Sequence, residues 1–202
     1  RPETHTFHMP FGECTITLED IAILLGLKIS SVAITGYATM NWTDLVQCLL
    51  GITPPESVLV GGRLKMSWID HHFSNVSEHV HSQEQLERYT KAFILRIIGE
   101  YLLTDHSSLF VSLRYLAMLE DLDDCGRMSW GSCVLANMYR ELFICTNYDH
   151  KEICGSTILV QLWAWYRLPI FAPPHPPLST FYVPLGARLI SMLLMIHLTF
   201  KL

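Results

Sequence analysis

Hydrophobic residues recur every three or four positions along much of this chain, which is the spacing of amphipathic α-helices. The longest regular stretch runs from about residue 82 to 103, and Glu84 and Arg88 are spaced to pair on its outer side. Its apolar row consists of Leu86, Tyr89, Phe93, Ile97 and Tyr101. The pattern predicts one long helix with this row as its apolar face.

Six shorter stretches have the same spacing together with signals for their ends. Thr17 and Asp20 form a capping-box pattern before the first helix, which Gly26 ends. Asn41 or Thr43 caps a second helix, which ends near residue 51. The other helices are predicted at residues 64–73, 109–122, 129–145 and 156–168. The last of these is apolar on almost every side, so we expect it at the centre of the domain.

The two ends of the chain differ from this helical pattern. Residues 4–17 alternate as strand, turn and strand with Pro10 and Gly12 in the spacer, which predicts a β-hairpin with a loop of about four residues. Residues 173–177 form a stiff proline-rich linker, and residues 189–200 are almost wholly apolar but too few to span a bilayer. Together the elements predict a mainly α fold, a single compact multi-helix domain with a small N-terminal β-hairpin. We expect the domain over residues 1–188 and an atypical apolar C-terminal tail at 189–202.

Composition limits the classes of function. Half of the 202 residues are hydrophobic and 16% are charged, so we expect a large core, a hidden interface or both, and exclude extensive disorder. The net charge is −5 and the basic residues are scattered, which disfavours a nucleic-acid binder with a basic face. No two of the six cysteines have C-x-x-C spacing and no secretory signal is visible, so we expect reduced, buried thiols.

Three polar clusters suggest chemistry, and each also has a structural explanation. The histidines at positions 71, 72, 79 and 81 would need to converge to bind a metal, and a solvated loop explains them better. Asp121, Asp123 and Asp124 could act like the acids of a transposase, but no RNase H-like sheet is predicted. A helix end, with Asp124 or Ser129 capping the next helix, accounts for these acids. Ser132 lacks the G-x-S-x-G elbow of a hydrolase nucleophile.

Five motifs follow one another in a specific order. They are RPETHTFH with GECTITLED in residues 1–20, GRLKMSW at 62–68, DLDDCGRMSWGS at 121–132, YREL at 139–142 and QLWAWYRLP at 161–169. Their sequences and order resemble the plant mobile domain of the aminotransferase-like, MAINTENANCE OF MERISTEMS-like family. The resemblance covers about residues 1–188. Beyond them the family usually continues with a Trp and a more polar segment, so we interpret the apolar end as that of a truncated or misread gene copy.

The resemblance implies a non-enzymatic protein-interaction domain of the nucleus, linked to gene regulation, transposon silencing and meristem maintenance. It implies protein partners, such as a protein phosphatase 7-like protein or another mobile-domain protein, and no membrane or small-molecule substrate. We expect no metal, because the spacing of the clustered histidines does not favour a metal site. We expect no cofactor, since none of the lysines follows a recognisable phosphate-binding loop that pyridoxal phosphate would need. The alternative is a transposon-derived nucleic-acid-associated protein. It predicts that dispersed arginines converge on one face, among them Arg63, Arg88, Arg114 and Arg127.

The candidate interaction or structural residues lie within these motifs. They are Arg127, Trp130, Tyr139, Arg140, Trp163 and Trp165. We expect most of the aromatic ones in the core, with their polar atoms bonded to neighbours such as Arg140, Glu141 or Gln161. A minority could instead form an exposed binding hot spot.

Overall fold

The computed structural model describes residues 3–36, 39–78, 82–147, 149, 153–172 and 186. Its mainly α-helical character and its N-terminal β-hairpin confirm the predicted fold class. The chain divides into two compact units, one of residues 1–33 and 129–202 and the other of residues 34–128. The expected domain boundary at residue 188 stays a prediction, because the predicted linker and apolar tail lie outside the described residues.

The described residues contain eight α-helices and five short strands. The helices are α1 (Leu18–Leu25), α2 (Trp42–Leu50), α3 (Met66–His72), α4 (Gln83–Ile97), α5 (Arg114–Met118), α6 (Leu122–Arg127), α7 (Trp130–Ile144) and α8 (Thr157–Arg167). The strands are β1 (Phe7–Met9), β2 (Gly12–Cys14), β3 (Leu59–Val60), β4 (Arg63–Lys65) and β5 (Phe110–Ser112).

The first unit combines the N-terminal hairpin with α1, α7 and α8. β1 and β2 pair antiparallel with Met9 opposite Gly12, so the hairpin loop has two residues instead of the four predicted. α1 packs against both α7 and α8. All three helices supply fully or almost fully buried side chains, namely Ile21, Leu24, Val134, Met138, Leu159, Leu162 and Trp163.

Local sequence explains where the first two helices begin and end. Thr17 caps α1 by accepting a hydrogen bond from the backbone N–H of Asp20, and the Asp20 carboxylate accepts one from the backbone N–H of Thr17. Gly26 ends α1 in the left-handed conformation at φ 68°, where glycine has no steric penalty. Asn41, one of the two predicted caps, begins α2, and Gly51 ends it at φ 78°. These predictions are confirmed.

The second unit packs α2, α3 and α5 around α4 and adds a small antiparallel sheet in the order β3-β4-β5. The sheet register places Leu64 opposite Leu59 on one side and opposite Val111 on the other. Leu64 and Val111 are buried, and β5 also packs against a π-helical turn, Ile98–Leu102, that extends α4. The predicted helix of residues 82–103 is therefore confirmed as α4 and this turn.

Two other helix predictions are wrong in detail. The predicted helix of residues 109–122 is divided into β5, α5 and the start of α6, because Val111 pairs with Leu64 in the sheet. The predicted helix of residues 64–73 begins at Met66, since Leu64 belongs to β4. Periodicity does not separate short apolar strands from short helices, and both errors arise from that ambiguity.

α8 occupies its predicted position but is not buried on every side. Leu159, Leu162 and Trp163 are buried, whereas Gln161 and Tyr166 are exposed. Among the helices that the structure describes, none combines the length and the apolar character that crossing a membrane requires.

Candidate functional site

Tyr139 and Trp163 hold the N-terminal hairpin against the helices of the first unit. The Tyr139 hydroxyl donates a hydrogen bond to the Ile16 carbonyl and accepts one from Thr15. The Trp163 ring stacks on Phe7 with 5.1 Å between ring centroids. These two motif residues therefore contact the same segment of chain, and the partner of the Tyr139 hydroxyl is a backbone carbonyl rather than one of the predicted side chains.

The Ser-Trp-Gly-Ser motif at the start of α7 binds the segment that follows α1. The N–H of Gly131 donates to the Lys28 carbonyl at 2.8 Å, and the Ser132 hydroxyl donates to the Ile29 carbonyl at 2.8 Å. A Cβ on Gly131 would lie only 2.9 Å from the Lys28 oxygen, so this close approach requires glycine. The Ser132 hydroxyl thus has a structural role. Trp130 beside it is buried.

Asp20 of α1 and Arg167 of α8 form a buried ion pair. Arg167 Nε and Nη2 donate to Asp20 Oδ1 at 3.1 Å and 2.6 Å, while Asp20 Oδ2 accepts two bonds from Thr17. Asp20 is fully buried, and about half of the Arg167 side chain is exposed. One carboxylate therefore links the start of α1 to the end of α8. The sequence predicted only its capping role.

The remaining motif candidates lie on the surface. Arg140 is exposed on α7, and Trp165 is half-buried on α8. Arg127, in the second unit, pairs with Asp124 at 3.3 Å at the end of α6.

The acidic cluster forms a helix cap. The Asp121 carboxylate accepts hydrogen bonds from the backbone N–H groups of Asp123 and Asp124, which lower its pKa. The prediction that Asp124 or Ser129 caps the next helix is wrong, because Asp121 caps α6 and the Ser129 side chain makes no capping bond to α7. The three acids are thus explained by the start of α6.

The histidine cluster is only partly described. His72 lies against the Trp68 ring with 4.7 Å between centroids and against His71 with 4.8 Å. Burial and the neighbouring His71 lower the pKa of His72. The other two histidines, at 79 and 81, lie outside the described residues.

α4 buries a different side of the helix from the one that carries the predicted apolar row. Its buried residues are Lys91, Ala92 and Leu95, continued by Ile98 and Gly99 in the π-helical turn. The buried ammonium group of Lys91 pairs with Glu87 at 2.9 Å and donates to the Glu120 carbonyl at 3.0 Å. Arg88 pairs with Glu84 as predicted and is 35% exposed, and its guanidinium group also lies close to Gly51 at the end of α2.

The apolar row of α4 lies about half a turn of the helix away from these buried residues. We name it the α4 outer face and define it as Leu86, Tyr89, Phe93 and Tyr101. Leu86, Phe93 and Tyr101 are 38%, 47% and 46% exposed, and the rings of Tyr89 and Phe93 stack with 6.3 Å between centroids. A hydrogen bond with Glu100 raises the pKa of Tyr101. A row of large apolar side chains on a solvent-facing helix is typical of a binding surface.

Three comparisons with known proteins add to this geometry. A sequence model of the plant mobile domain matches residues 1–190. This chain belongs to the plant mobile domain family. No solved structure matches the chain.

The relatives of this plant mobile domain are longer proteins of Arabidopsis thaliana. It is 42% identical over 173 residues to "Serine/threonine-protein phosphatase 7 long form homolog" and 37% identical over 173 residues to "Protein MAIN-LIKE 2". It is 30% identical over 175 residues to "Protein MAINTENANCE OF MERISTEMS". Each alignment covers 86% of this chain but only 13%, 26% and 36% of the respective relative. The predicted family is confirmed, and the chain spans a minority of each relative's length.

Three of the four arginines that the nucleic-acid alternative brings together, Arg63, Arg88 and Arg127, have local acidic partners. In the second unit Arg63 pairs with Asp105 at 3.2 Å, and Arg88 pairs with Glu84 on the same helix. Such pairing reduces the positive charge available for phosphate groups. Of the two main readings of the sequence, these pairs favour the protein-interaction domain over the nucleic-acid-associated protein.

Proposed function

We propose that this plant mobile domain is a non-enzymatic protein-interaction module that binds its partner through the α4 outer face. The observation that carries the proposal is the exposure of Leu86, Phe93 and Tyr101 along one side of a helix whose opposite side is already buried. Aromatic side chains supply much of the binding energy in protein interfaces, because they bury a large apolar area at a small cost in conformational entropy.

Charged residues beside this face support a specific interface. Arg96 pairs with Asp70 at 3.1 Å and with Glu100 at 3.4 Å, so these charged residues form a polar border along the α4 outer face. An apolar centre with a polar rim is the usual arrangement of a protein–protein interface. The border disfavours indiscriminate apolar association, since a partner must match its charges.

The proposed partners are another mobile-domain protein or a protein phosphatase 7-like protein. The similarity to a phosphatase 7 long form homolog and to MAIN-LIKE proteins supports these choices. We further propose that the module acts in the nucleus, in gene regulation and transposon silencing that maintain meristems. The similarity to a protein named MAINTENANCE OF MERISTEMS supports this context.

The test is a binding measurement with purified proteins. The immobilised chain is exposed to the phosphatase 7 long form homolog and to MAIN-LIKE 2, and the dissociation constants are measured. We expect the double variant Leu86→Gln with Phe93→Gln to bind at least about 30-fold more weakly, as for loss of a hot spot worth about 2 kcal/mol.

Val76→Gln is the matched control, because Val76 is an apolar residue of the same unit with comparable exposure, 45%, outside α4. Both variants should keep the melting temperature of the parent chain, since exposed side chains contribute little to stability. Equal binding by the double variant and the control would refute the proposed interface. Retention of DNA or RNA without any protein partner would favour the nucleic-acid alternative.

A further inference from the structure

The first unit contains buried oxygen atoms that have no hydrogen-bond partner. They are Asn137 Oδ1, Glu141 Oε2 and Ser156 Oγ. Glu141 is 4% exposed and Ser156 1%. A buried carboxylate with an unpaired oxygen is costly, and in proteins such groups are usually paired or bind a cation. None of these residues belongs to the α4 outer face, so the cluster has no part in the proposed interface.

The oxygen atoms lie around the short segment that precedes α8. Asn137 and Glu141 are one turn apart on α7, and a Cβ on Gly155 would lie 3.6 Å from both Asn137 Oδ1 and Glu141 Cγ. Cys154, which precedes that glycine, is 5% exposed. Its sulfur lies within 4.8 Å of a Glu141 carboxylate oxygen. Gly155 therefore lies close to the Asn137 amide oxygen and the Glu141 side chain, and the thiol of the preceding residue lies near the Glu141 carboxylate.

We propose that Glu141 and Cys154 bind a thiophilic divalent cation of the zinc(II) type. Zinc–sulfur and zinc–oxygen bonds of about 2.3 Å and 2.1 Å at a tetrahedral angle put the two ligand atoms about 3.6 Å apart. A separation within 4.8 Å thus needs a closure of at most about 1.2 Å. Binding removes the thiol proton to solvent and forms a metal–thiolate bond, while the carboxylate binds as the anion.

The neighbouring groups fit this ligand chemistry. Asn137 Oδ1 and Ser156 Oγ are neutral oxygen donors that could complete the coordination, and a thiolate ligand favours zinc-like ions over magnesium or calcium. Cys145, one turn beyond Glu141, is a further thiol, and burial followed by the Glu141 charge raises its pKa. A cation would stabilise the buried carboxylate and the thiolate together.

No spacing in the sequence indicates such a site. Glu141 and Cys154 are 13 positions apart (154 − 141), and this separation matches none of the short Cys and His spacings of known zinc motifs. Only the fold places the segment before α8 against α7, so the expectation of no metal rested on spacing alone.

Cobalt(II) is the probe, because a cobalt–thiolate bond gives a charge-transfer absorption that water and carboxylate ligands do not give. The purified 202-residue chain is freed of metal with a chelator and titrated with cobalt(II). We expect one equivalent of cobalt(II) to bind, and its binding to produce the charge-transfer band. Cys154→Ser should lose the band, and Glu141→Gln should weaken binding at least about tenfold. Cys48→Ser, which removes an exposed thiol of α2, should keep both band and affinity.

Thermal unfolding provides a second readout that does not depend on absorption. Glu141→Gln removes a buried charge, so without metal it should melt at or above the temperature of the parent chain. Zinc(II) should raise the melting temperature of the parent chain and leave that of Cys154→Ser unchanged. The proposal is overturned if the parent chain gives no charge-transfer band, if Cys154→Ser keeps the band, or if zinc stabilises both chains equally.

Discussion

The ion pair between Asp20 and Arg167 offers the sharpest test of how the first unit is held together. Replacing Arg167 with Met keeps most of the side-chain stem but removes both donors to Asp20 Oδ1, at 3.1 Å and 2.6 Å. The carboxylate is then left buried with only the two bonds from Thr17. We therefore expect a loss of stability larger than for any exposed ion pair of this chain.

The magnitude follows from the burial of the two partners. Removing one partner of a fully buried pair typically costs about 3–5 kcal/mol. Arg167 is 46% exposed, so water already screens part of this interaction, and we expect a cost nearer to about 2 kcal/mol. Asp20→Asn should cost a similar amount, because an amide nitrogen would replace one of the two accepting oxygens. The coupling energy between the two substitutions should be about 1–2 kcal/mol.

The assay is a double-mutant cycle measured by urea unfolding. The control cycle uses Arg127 and Asp124, which also form an ion pair but are 71% and 67% exposed. Its coupling energy should be below about 0.5 kcal/mol. The reasoning fails if Arg167→Met costs less than about 0.5 kcal/mol, or if the two cycles give the same coupling energy.

Three further predictions concern single positions. Tyr139→Phe should destabilise the chain by about 1–3 kcal/mol, because the buried Ile16 carbonyl loses its hydroxyl donor, and the N-terminal hairpin should become more sensitive to protease. Gly131→Ala should lower the free energy of unfolding by about 1–3 kcal/mol, because the new Cβ would clash with the Lys28 oxygen. Gly126→Ala should be neutral or stabilising by up to about 1 kcal/mol, because the space around its Cβ in α6 is open. Urea unfolding measures both effects. His72 has a lowered pKa, so the unfolded chain binds this proton more tightly, and the free energy of unfolding should fall as pH drops below about 6.5.

Controls separate these effects from general damage. Tyr166→Phe removes a hydroxyl from a partly exposed ring on α8 and should leave hairpin proteolysis unchanged. His72→Phe keeps a ring beside Trp68 and should reduce the fall in stability between about pH 7.5 and about pH 5.5. His8→Gln, which changes a histidine of the exposed hairpin, should leave that fall unchanged. An unchanged pH response in His72→Phe would contradict the pH role assigned to His72. Equal effects of alanine at Gly131 and at Gly126 would contradict the predicted clash at Gly131.

The ends of α1 and α2 were predictable because their signals are local. A capping box needs Thr17 and Asp20 three positions apart, and a helix stop needs a glycine that adopts positive φ. Both signals lie within a few residues of the helix end that they determine, so the sequence alone is enough to identify them. The Arg167 partner of Asp20 could not be read in this way, because 147 positions separate the two residues and only the packing of α1 against α8 brings them together.

The orientation of α4 was not predictable from periodicity. The helix carries apolar residues on two opposite sides, and the row with the larger side chains was taken as the inner one. The buried side instead includes two small residues, Ala92 and Gly99, beside Lys91, Leu95 and Ile98. A Cβ on Gly99 would lie 2.7 Å from the Val111 Cβ, so only glycine lets the extended α4 approach β5. Ala92 and Gly99 were the available signal, since small residues on one side of a helix allow a neighbouring element to approach.

The family motifs and the α4 outer face involve different residues of this molecule. Tyr139, Gly131 and Arg167 belong to motifs, and all three make contacts inside the first unit. None of the motifs that carry the family resemblance includes residues 82–103. The motifs thus account for the shared fold, and partner choice is free to depend on surfaces outside them.

This separation leads to a last prediction. Replacing Leu86 and Phe93 with the residues that a mobile-domain relative carries at the aligned positions should change which partner binds, because these side chains are exposed. The melting temperature should stay within a few degrees, since surface substitutions usually change stability by less than about 0.5 kcal/mol. Binding constants for two partners, measured before and after the exchange, test the idea. If the preference is unchanged while Tyr139→Phe abolishes binding without altering the melting temperature, the motifs themselves form the interface.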